Sequence, residues 1–205
     1  MWPALTPKAV SAGGAELKRT DLRMSAHITS TPAHSLADIN RMDAASFAAT
    51  FGKVYEHSAW IAERAFALRP ATTGFASRAA LHAALVATVH AATEDEQVGL
   101  LRAHPELAGK EAAAGTLTAD STREQALAGL GAMSADSVQR LSTLNTRYGE
   151  KFGFPFIIAA RNNTQAAIFG TLEARLHNTR TMELPNALAQ VGEIARLRLL
   201  DLLRD

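Results

Sequence analysis

Hydroxyl and carboxylate residues recur along this chain just ahead of apolar residues spaced three and four apart, while strand signals are nearly absent. A side-chain oxygen placed there accepts a hydrogen bond from an otherwise unpaired amide of a helix's first turn, and the spacing gathers the apolar residues on one face. The pattern confines the chain to an all-α fold. Asp43 is expected to cap a helix carrying Phe47, Phe51 and Val54, and Ser58 the next, carrying Ile61 and Ala65 and ending before Pro70. Ala80, Leu81, Ala84, Leu85, Thr88 and Val89 mark a third, from about Ser77 to Ala92. Thr93 and Glu96 form a capping box for a short helix from about Glu94 to Ala103. Ser121 and Glu124 repeat the box ahead of Ala126, Leu127 and Leu130, with Gly131 closing the run. Ala135 to Tyr148 places Val138, Leu141, Leu144 and Tyr148 at helical spacing. Thr164 opens a helix with Ile168, Phe169, Leu172 and Leu176, and Thr181 opens the last, which continues to about Leu203. The one β-like run is Phe154 to Ile158.

With 47% hydrophobic residues, these segments suffice for a single compact multi-helix domain of about eight helices, spanning residues 35–205. Residues 1–34 are rich in Ala, Ser, Thr, Pro and Gly without a sustained period, and read as a flexible N-terminal extension in which Met24 offers a second translation start.

A net charge of +1 gives no electrostatic reason to expect a nucleic acid or a membrane as partner. The absence of cysteine excludes disulfides, thiolate metal sites and a cysteine nucleophile. His90 and Glu94 stand four apart, but without a His-Glu-x-x-His arrangement the spacing is that of ordinary helices, so no metal site is assigned. No apolar run approaches the roughly 18 residues of a spanning helix, and the start lacks a basic segment followed by an apolar one. A cytoplasmic protein is the expectation.

His104-Pro-Glu-Leu-Ala-Gly-Lys110 stands apart from the helical pattern. Pro105 pushes the preceding residue out of helical conformation, so the helix stops just before His104 and leaves the imidazole at a fixed exit point. Such a histidine suits proton transfer. It equally suits a cation at the negative end of a helix dipole. Lys151-Phe-Gly-Phe-Pro-Phe-Ile-Ile-Ala-Ala160 is too interrupted by Gly and Pro for an ordinary helix, and its main-chain groups need partners. Near the C-terminus, Val191, Ile194, Arg198 and Leu202 share one stripe of a helix. An arginine there either snorkels outward or meets an anion inside, while Arg196 lies off the stripe beside Glu193. His57 and Trp60 are expected to pack between helices.

These blocks, with Tyr55-Glu-His-Ser-Ala-Trp-Ile-Ala-Glu63 and Leu172-Glu-Ala-Arg-Leu-His-Asn178, occur in an order that resembles the 2-oxo-4-hydroxy-4-carboxy-5-ureidoimidazoline (OHCU) decarboxylases over about Ser35 to Asp205. Asp120 and Gly131 are small departures from the family pattern. The resemblance implies an all-helical fold, usually a homodimer, acting on a small ureidoimidazoline and forming (S)-allantoin during urate degradation without a cofactor. By the same resemblance His104 is the catalytic acid–base, and Glu124 the second catalytic group, orienting the imidazole and raising its basicity. Pro105, Ser121, Thr122, Arg123, Glu124 and Gln125 are implied in substrate binding, as are Phe156, Ile157, Ile158, Ala159 and Ala160 through main-chain contacts and Arg198 as clamp. A helix N-terminus at Thr122 would also offer free amides to an anion. The residues alone leave open a different metal-free lyase or isomerase on this scaffold, or a non-catalytic helical interaction protein.

Overall fold

The computed structural model describes residues 34–204. Among them are ten α-helices, eight of at least seven residues, against the about eight expected. Ser35 and Asp38 build a reciprocal capping box at α1 (Leu36–Arg41). Asp43 caps α2 (Ala44–Phe51) as expected, and α4 (Arg78–Ala91) lies within the expected bounds, capped by Ser77. The helix after α2 begins without a side-chain cap. Ala59 precedes α3 (Trp60–Phe66), while Ser58 is buried in a turn and only its carbonyl accepts, from the Ile61 amide. Val54 lies in that same turn instead of on α2, because the helix has already ended at Phe51. His57 does not pack between helices; it is exposed, with φ of 47°. Trp60 is half-buried, with the Arg64 guanidinium 4.5 Å from its ring centre.

The Thr93 box opens α5 (Glu94–Arg102), which stops before His104. The short α6 (Lys110–Ala114) follows, and then α7 (Ala119–Leu127), capped by Thr118 and not by Ser121. Gly129, with φ of 74°, ends that helix in place of Gly131, and Leu127 is 61% exposed. The long α8 (Ala135–Phe152) runs past Tyr148 until Gly153 turns the chain at φ of 78°. Val138 on this helix is 41% exposed, outside the expected apolar face. Phe154 to Ile158 is irregular and does not pair as a strand; among the described residues the one β-bridge joins His34 to Leu203. Thr164 caps α9 (Gln165–Arg175), and Thr179, not Thr181, caps α10 (Arg180–Leu202).

Helix α10 crosses α4 and α5 through the core. Phe47, Phe51, Leu81, Leu85, Leu101, Tyr148, Ile168, Leu172, Val191 and Leu199 are buried in one cluster. His34 is tied to the chain's end, donating its amide to the Leu202 carbonyl at 3.3 Å and accepting from the Arg204 amide at 2.9 Å. It therefore belongs to the folded unit. The remainder of the expected extension, with Met24, lies outside the described residues. No helix among the described residues is long and apolar enough to cross a membrane.

Candidate active site

The end of α5 fixes His104. Its amide donates to the Leu101 carbonyl at 3.2 Å, and ring Nδ1 lies 2.9 Å from the Leu100 carbonyl. A carbonyl only accepts, so Nδ1 carries the proton and Nε2 presents a lone pair. Nε2 is buried without a protein partner. Burial pushes the imidazole pKa down to about 4. The Leu100 carbonyl and the Glu56 charge pull against that fall, and Arg198 and His57 add to it. Near neutrality the ring is therefore uncharged. The helix-dipole reading keeps its geometry, since the ring bonds a carbonyl of the last turn, but loses the cation on which it depended. The expectation that Glu124 orients this ring is corrected: the orienting group is the Leu100 carbonyl.

Two amides hold the turn that follows. Asn145 Nδ2 donates to the Leu107 carbonyl at 3.1 Å, and the Ala108 amide donates to Gln125 Oε1 at 2.9 Å, with Ala108 at φ of 48°.

Because α7 starts three residues earlier than the Ser121 box requires, Ser121 and Glu124 lie inside the helix, on its buried face. Ser121 caps nothing, and the Thr122 amide is already bonded to the Thr118 carbonyl at 2.9 Å, so it is not free for an anion. Glu124 instead forks Arg198. Its Oε1 accepts from Nε at 2.9 Å and its Oε2 from Nη2 at 2.8 Å. Arg198 is 3% exposed, which excludes snorkelling. The anions it meets inside are the protein's own: besides Glu124, Nη2 reaches Glu56 Oε1 at 3.1 Å, and Nη1 donates to the Val54 carbonyl at 3.3 Å.

Sequence reasoning assigned no chemistry to Glu56. It arrives from the turn between α2 and α3, is 3% exposed, and accepts from the Ser121 hydroxyl and from Thr118 Oγ1, the latter at 2.9 Å. Burial alone would raise its carboxyl pKa, but the Ser121 hydrogen bond, the Arg198 charge and the Thr118 hydrogen bond together hold it below the usual range. The only sequence signal was the Tyr55-Glu-His-Ser-Ala-Trp block, which carried resemblance without a role.

A second buried network holds the irregular segment after α8. Arg175 Nη1 donates to the Ile157 carbonyl at 2.8 Å and its Nε to Glu183 Oε1 at 2.6 Å, while the Tyr148 hydroxyl donates to Glu183 as well. The Ala159 amide donates to Gln190 Oε1 at 3.0 Å. Buried polar groups cost free energy unless paired, and these partners fix which main-chain groups of the segment turn away from the site.

Between these walls lies a cavity of about 30 Å³, room for roughly a water molecule. His104 also borders two larger hollows, of about 410 Å³ and about 140 Å³.

The family model described as OHCU decarboxylase matches residues 40–200. The chain belongs to the OHCU decarboxylase family. It is 42% identical over 166 residues to the putative 2-oxo-4-hydroxy-4-carboxy-5-ureidoimidazoline decarboxylase of Homo sapiens, covering 81% of this chain and 94% of that protein. Identity to the decarboxylase of Haloferax volcanii is 39% over 165 residues, covering 80% and 94%. The uric acid degradation bifunctional protein PucL of Bacillus subtilis is 39% identical over 171 residues, and there the match takes in 83% of this chain but 33% of the relative. Among solved structures, an (S)-allantoin synthase superposes with a TM-score of 0.65 at 29% identity, covering 84% of this chain and 54% of that one. An OHCU decarboxylase crystallised in the presence of (S)-allantoin gives 0.57 at 25% identity, covering 73% and 94%.

Most residues that the family resemblance singled out converge on the small cavity. His104, Pro105, Ser121, Glu124 and Gln125 line it from α5 and α7, and Phe156, Ile157, Ile158, Ala160 and Arg198 from the irregular segment and α10. Three do not. Thr122 is exposed, its hydroxyl bonded back to the Thr118 carbonyl at 2.9 Å. Arg123 turns to Asp201 at 2.7 Å and Asp120 at 3.2 Å. Ala159 is buried behind the wall, its amide already taken by Gln190. Leu107 and Ile194 line the cavity without having been singled out. Among the described residues no group of three or more His, Cys, Asp or Glu side chains converges as metal ligands do.

Proposed function

We propose that this protein decarboxylates 2-oxo-4-hydroxy-4-carboxy-5-ureidoimidazoline to (S)-allantoin, with His104 moving the proton and no cofactor taking part. The observation that carries this reading is a neutral imidazole whose free Nε2 is buried at a cavity shared with Glu124, Gln125 and Arg198. Its family membership supplies the substrate.

The chemistry asks for such a base. When the bond from C4 to the carboxylate breaks, its electron pair forms the C4=C5 bond and the C5=N pair moves onto the ring nitrogen, which takes the carboxylic acid's proton, or one from solvent where the substrate enters as the carboxylate. The substrate is thus its own electron sink. The result is an enol at C4. Completing allantoin moves the hydroxyl proton off the C4 oxygen and puts one proton on C5, on one face only. The substrate acid equals allantoin plus carbon dioxide, so no oxidant, reductant or water is consumed. An uncharged imidazole accepts the hydroxyl proton through Nε2, is briefly cationic beside Glu56, and returns the proton to carbon.

The cavity is smaller than the substrate, so binding widens it or joins it to the hollows that also border His104. Family resemblance further supports a cytoplasmic homodimer whose catalytic unit is the helical domain. Circular dichroism recorded while the substrate is generated from urate tests the proposal, because it reports rate and handedness together. Accumulation of (S)-allantoin faster than spontaneous decay supports it; racemic product at the spontaneous rate refutes it.

A further inference from the structure

Arg198 is held by more negative charge than it needs. The fork to Glu124 already gives a neutral pair with two parallel hydrogen bonds, the strong geometry for arginine and carboxylate. Glu56 adds a second buried carboxylate, leaving the cluster one negative charge in excess. Taking another ion out of water costs several kcal/mol. A neutral amide could accept the Ser121 and Thr118 hydroxyls without that cost, so their bonds to Glu56 do not explain why position 56 is charged.

We propose that Glu56 is a positioning residue of this site: it holds Arg198 and Ser121 in place so that Glu124 is free to turn its oxygens to the substrate. The inference rests on the decarboxylase reading above. Both oxygens of Glu124 are engaged by Arg198, yet Glu124 lines the small cavity, whereas Glu56 borders only the adjoining hollow of about 140 Å³. A ureido N–H entering the cavity competes for a Glu124 oxygen. If Glu124 were the only counter-ion, that competition would leave a buried guanidinium unpaired. Glu56 approaches Arg198 from the α2–α3 turn, outside the small cavity and on the wall of the neighbouring hollow of about 140 Å³, and keeps the guanidinium's charge satisfied while Glu124 changes partner. The same carboxylate lies near enough to His104 to favour the cationic ring that forms when the base takes its proton.

The test is Glu56→Gln, which keeps size and an acceptor oxygen and removes only the charge. With allantoin formation followed by circular dichroism, the variant should melt within a few degrees of wild type while kcat falls roughly 10- to 100-fold, the cost of a slightly misplaced group. KM should change much less. In an Arg198→Lys background the same substitution should add less than about 3-fold, because residues acting as a unit are non-additive. Glu56→Asp, which keeps the charge but shortens the reach, should give an intermediate kcat. A purely structural Glu56 would lower the melting temperature of both variants and leave the kcat of the folded enzyme unchanged, which overturns the inference; so would a penalty that multiplies fully with that of Arg198→Lys. Should Glu56→Gln fail to fold, Glu56→Asp decides alone, and a wild-type kcat there overturns it. Wild-type protein inactive on the ureidoimidazoline refutes the decarboxylase reading instead, whereas active wild type with unaffected Glu56 variants refutes only this inference.

Discussion

Replacing His104 by Asn separates the two consequences of burying a neutral imidazole. Asn retains a donor for the Leu100 carbonyl but has nothing in the place of Nε2. The wild-type ring, buried at the cavity, has a pKa near 4 against an ordinary 6.5. Between those values the unfolded chain binds a proton that the folded chain refuses, so acid favours unfolding. The contribution is absent above about pH 6.5, reaches about 2 kcal/mol of lost stability near pH 5, and is complete at about 3 kcal/mol below pH 4. Carboxylates with lowered values, Glu56 and Glu96 among them, also withdraw stability on acidification, but only below their ordinary range and in both proteins alike. Urea unfolding midpoints measured at several pH values should therefore show wild type losing stability from pH 7 to 5 and His104→Asn losing about 2 kcal/mol less. At neutral pH the same variant should form allantoin roughly 100- to 10,000-fold more slowly, leaving spontaneous, racemic product. Parallel stability curves would refute the buried neutral ring, and a fully active, stereoselective variant would refute its role.

Three other outcomes follow from the geometry. Arg198→Lys gives up the fork that spans Glu124 and Glu56, so activity and melting temperature should both fall, whereas Arg196→Lys, altering an exposed pair with Glu193, should change neither measurably. Glu124→Gln should slow allantoin formation by a large factor; lost stability from the weakened Arg198 fork with the rate of the folded enzyme preserved would count against a role in catalysis. Activity should survive prolonged dialysis against a chelator, and loss that one added metal restores would contradict a cofactor-free reaction.

Local chemistry in the sequence located most helices because a cap is a local event. Asp43, Ser77, Thr93 and Thr164 each stand as the outstanding capping residue before an apolar face, and each caps. Where hydroxyls crowd together the choice passes to tertiary contacts. Thr116, Thr118, Ser121 and Thr122 all have the chemistry to cap α7, and Thr118 does so while Ser121 is drawn inward by Glu56. Near α10 the same ambiguity between Thr179 and Thr181 displaced the start by two residues. Ser58 is a cap by residue type, yet it is buried in the connection that delivers Val54 and Glu56 to Arg198.

The candidate site was legible in its residues and not in its pairings. Residues three apart in a helix share a face, so Ser121 and Glu124 are read as a cap and its partner if the helix begins at 122, and as two buried side chains facing one target if it begins at 119. A shift of three residues turns a local motif into half of a long-range cluster. The other half is Arg198, 74 residues from Glu124, and Glu56, 142 residues from Arg198. Nothing in local spacing joins them. The same gap hides the partner of His104: the family resemblance groups it with Glu124, and the Leu100 carbonyl, being main chain, leaves no mark in a sequence. Once the pairing is seen, the arginine's task changes. An arginine already satisfied by two internal carboxylates does not capture any passing anion, because an incoming ligand must first displace Glu124 and offer it a donor in return. A ligand carrying both an acceptor for the guanidinium and N–H groups for the carboxylate meets that condition, and a ureidoimidazoline carboxylate has both.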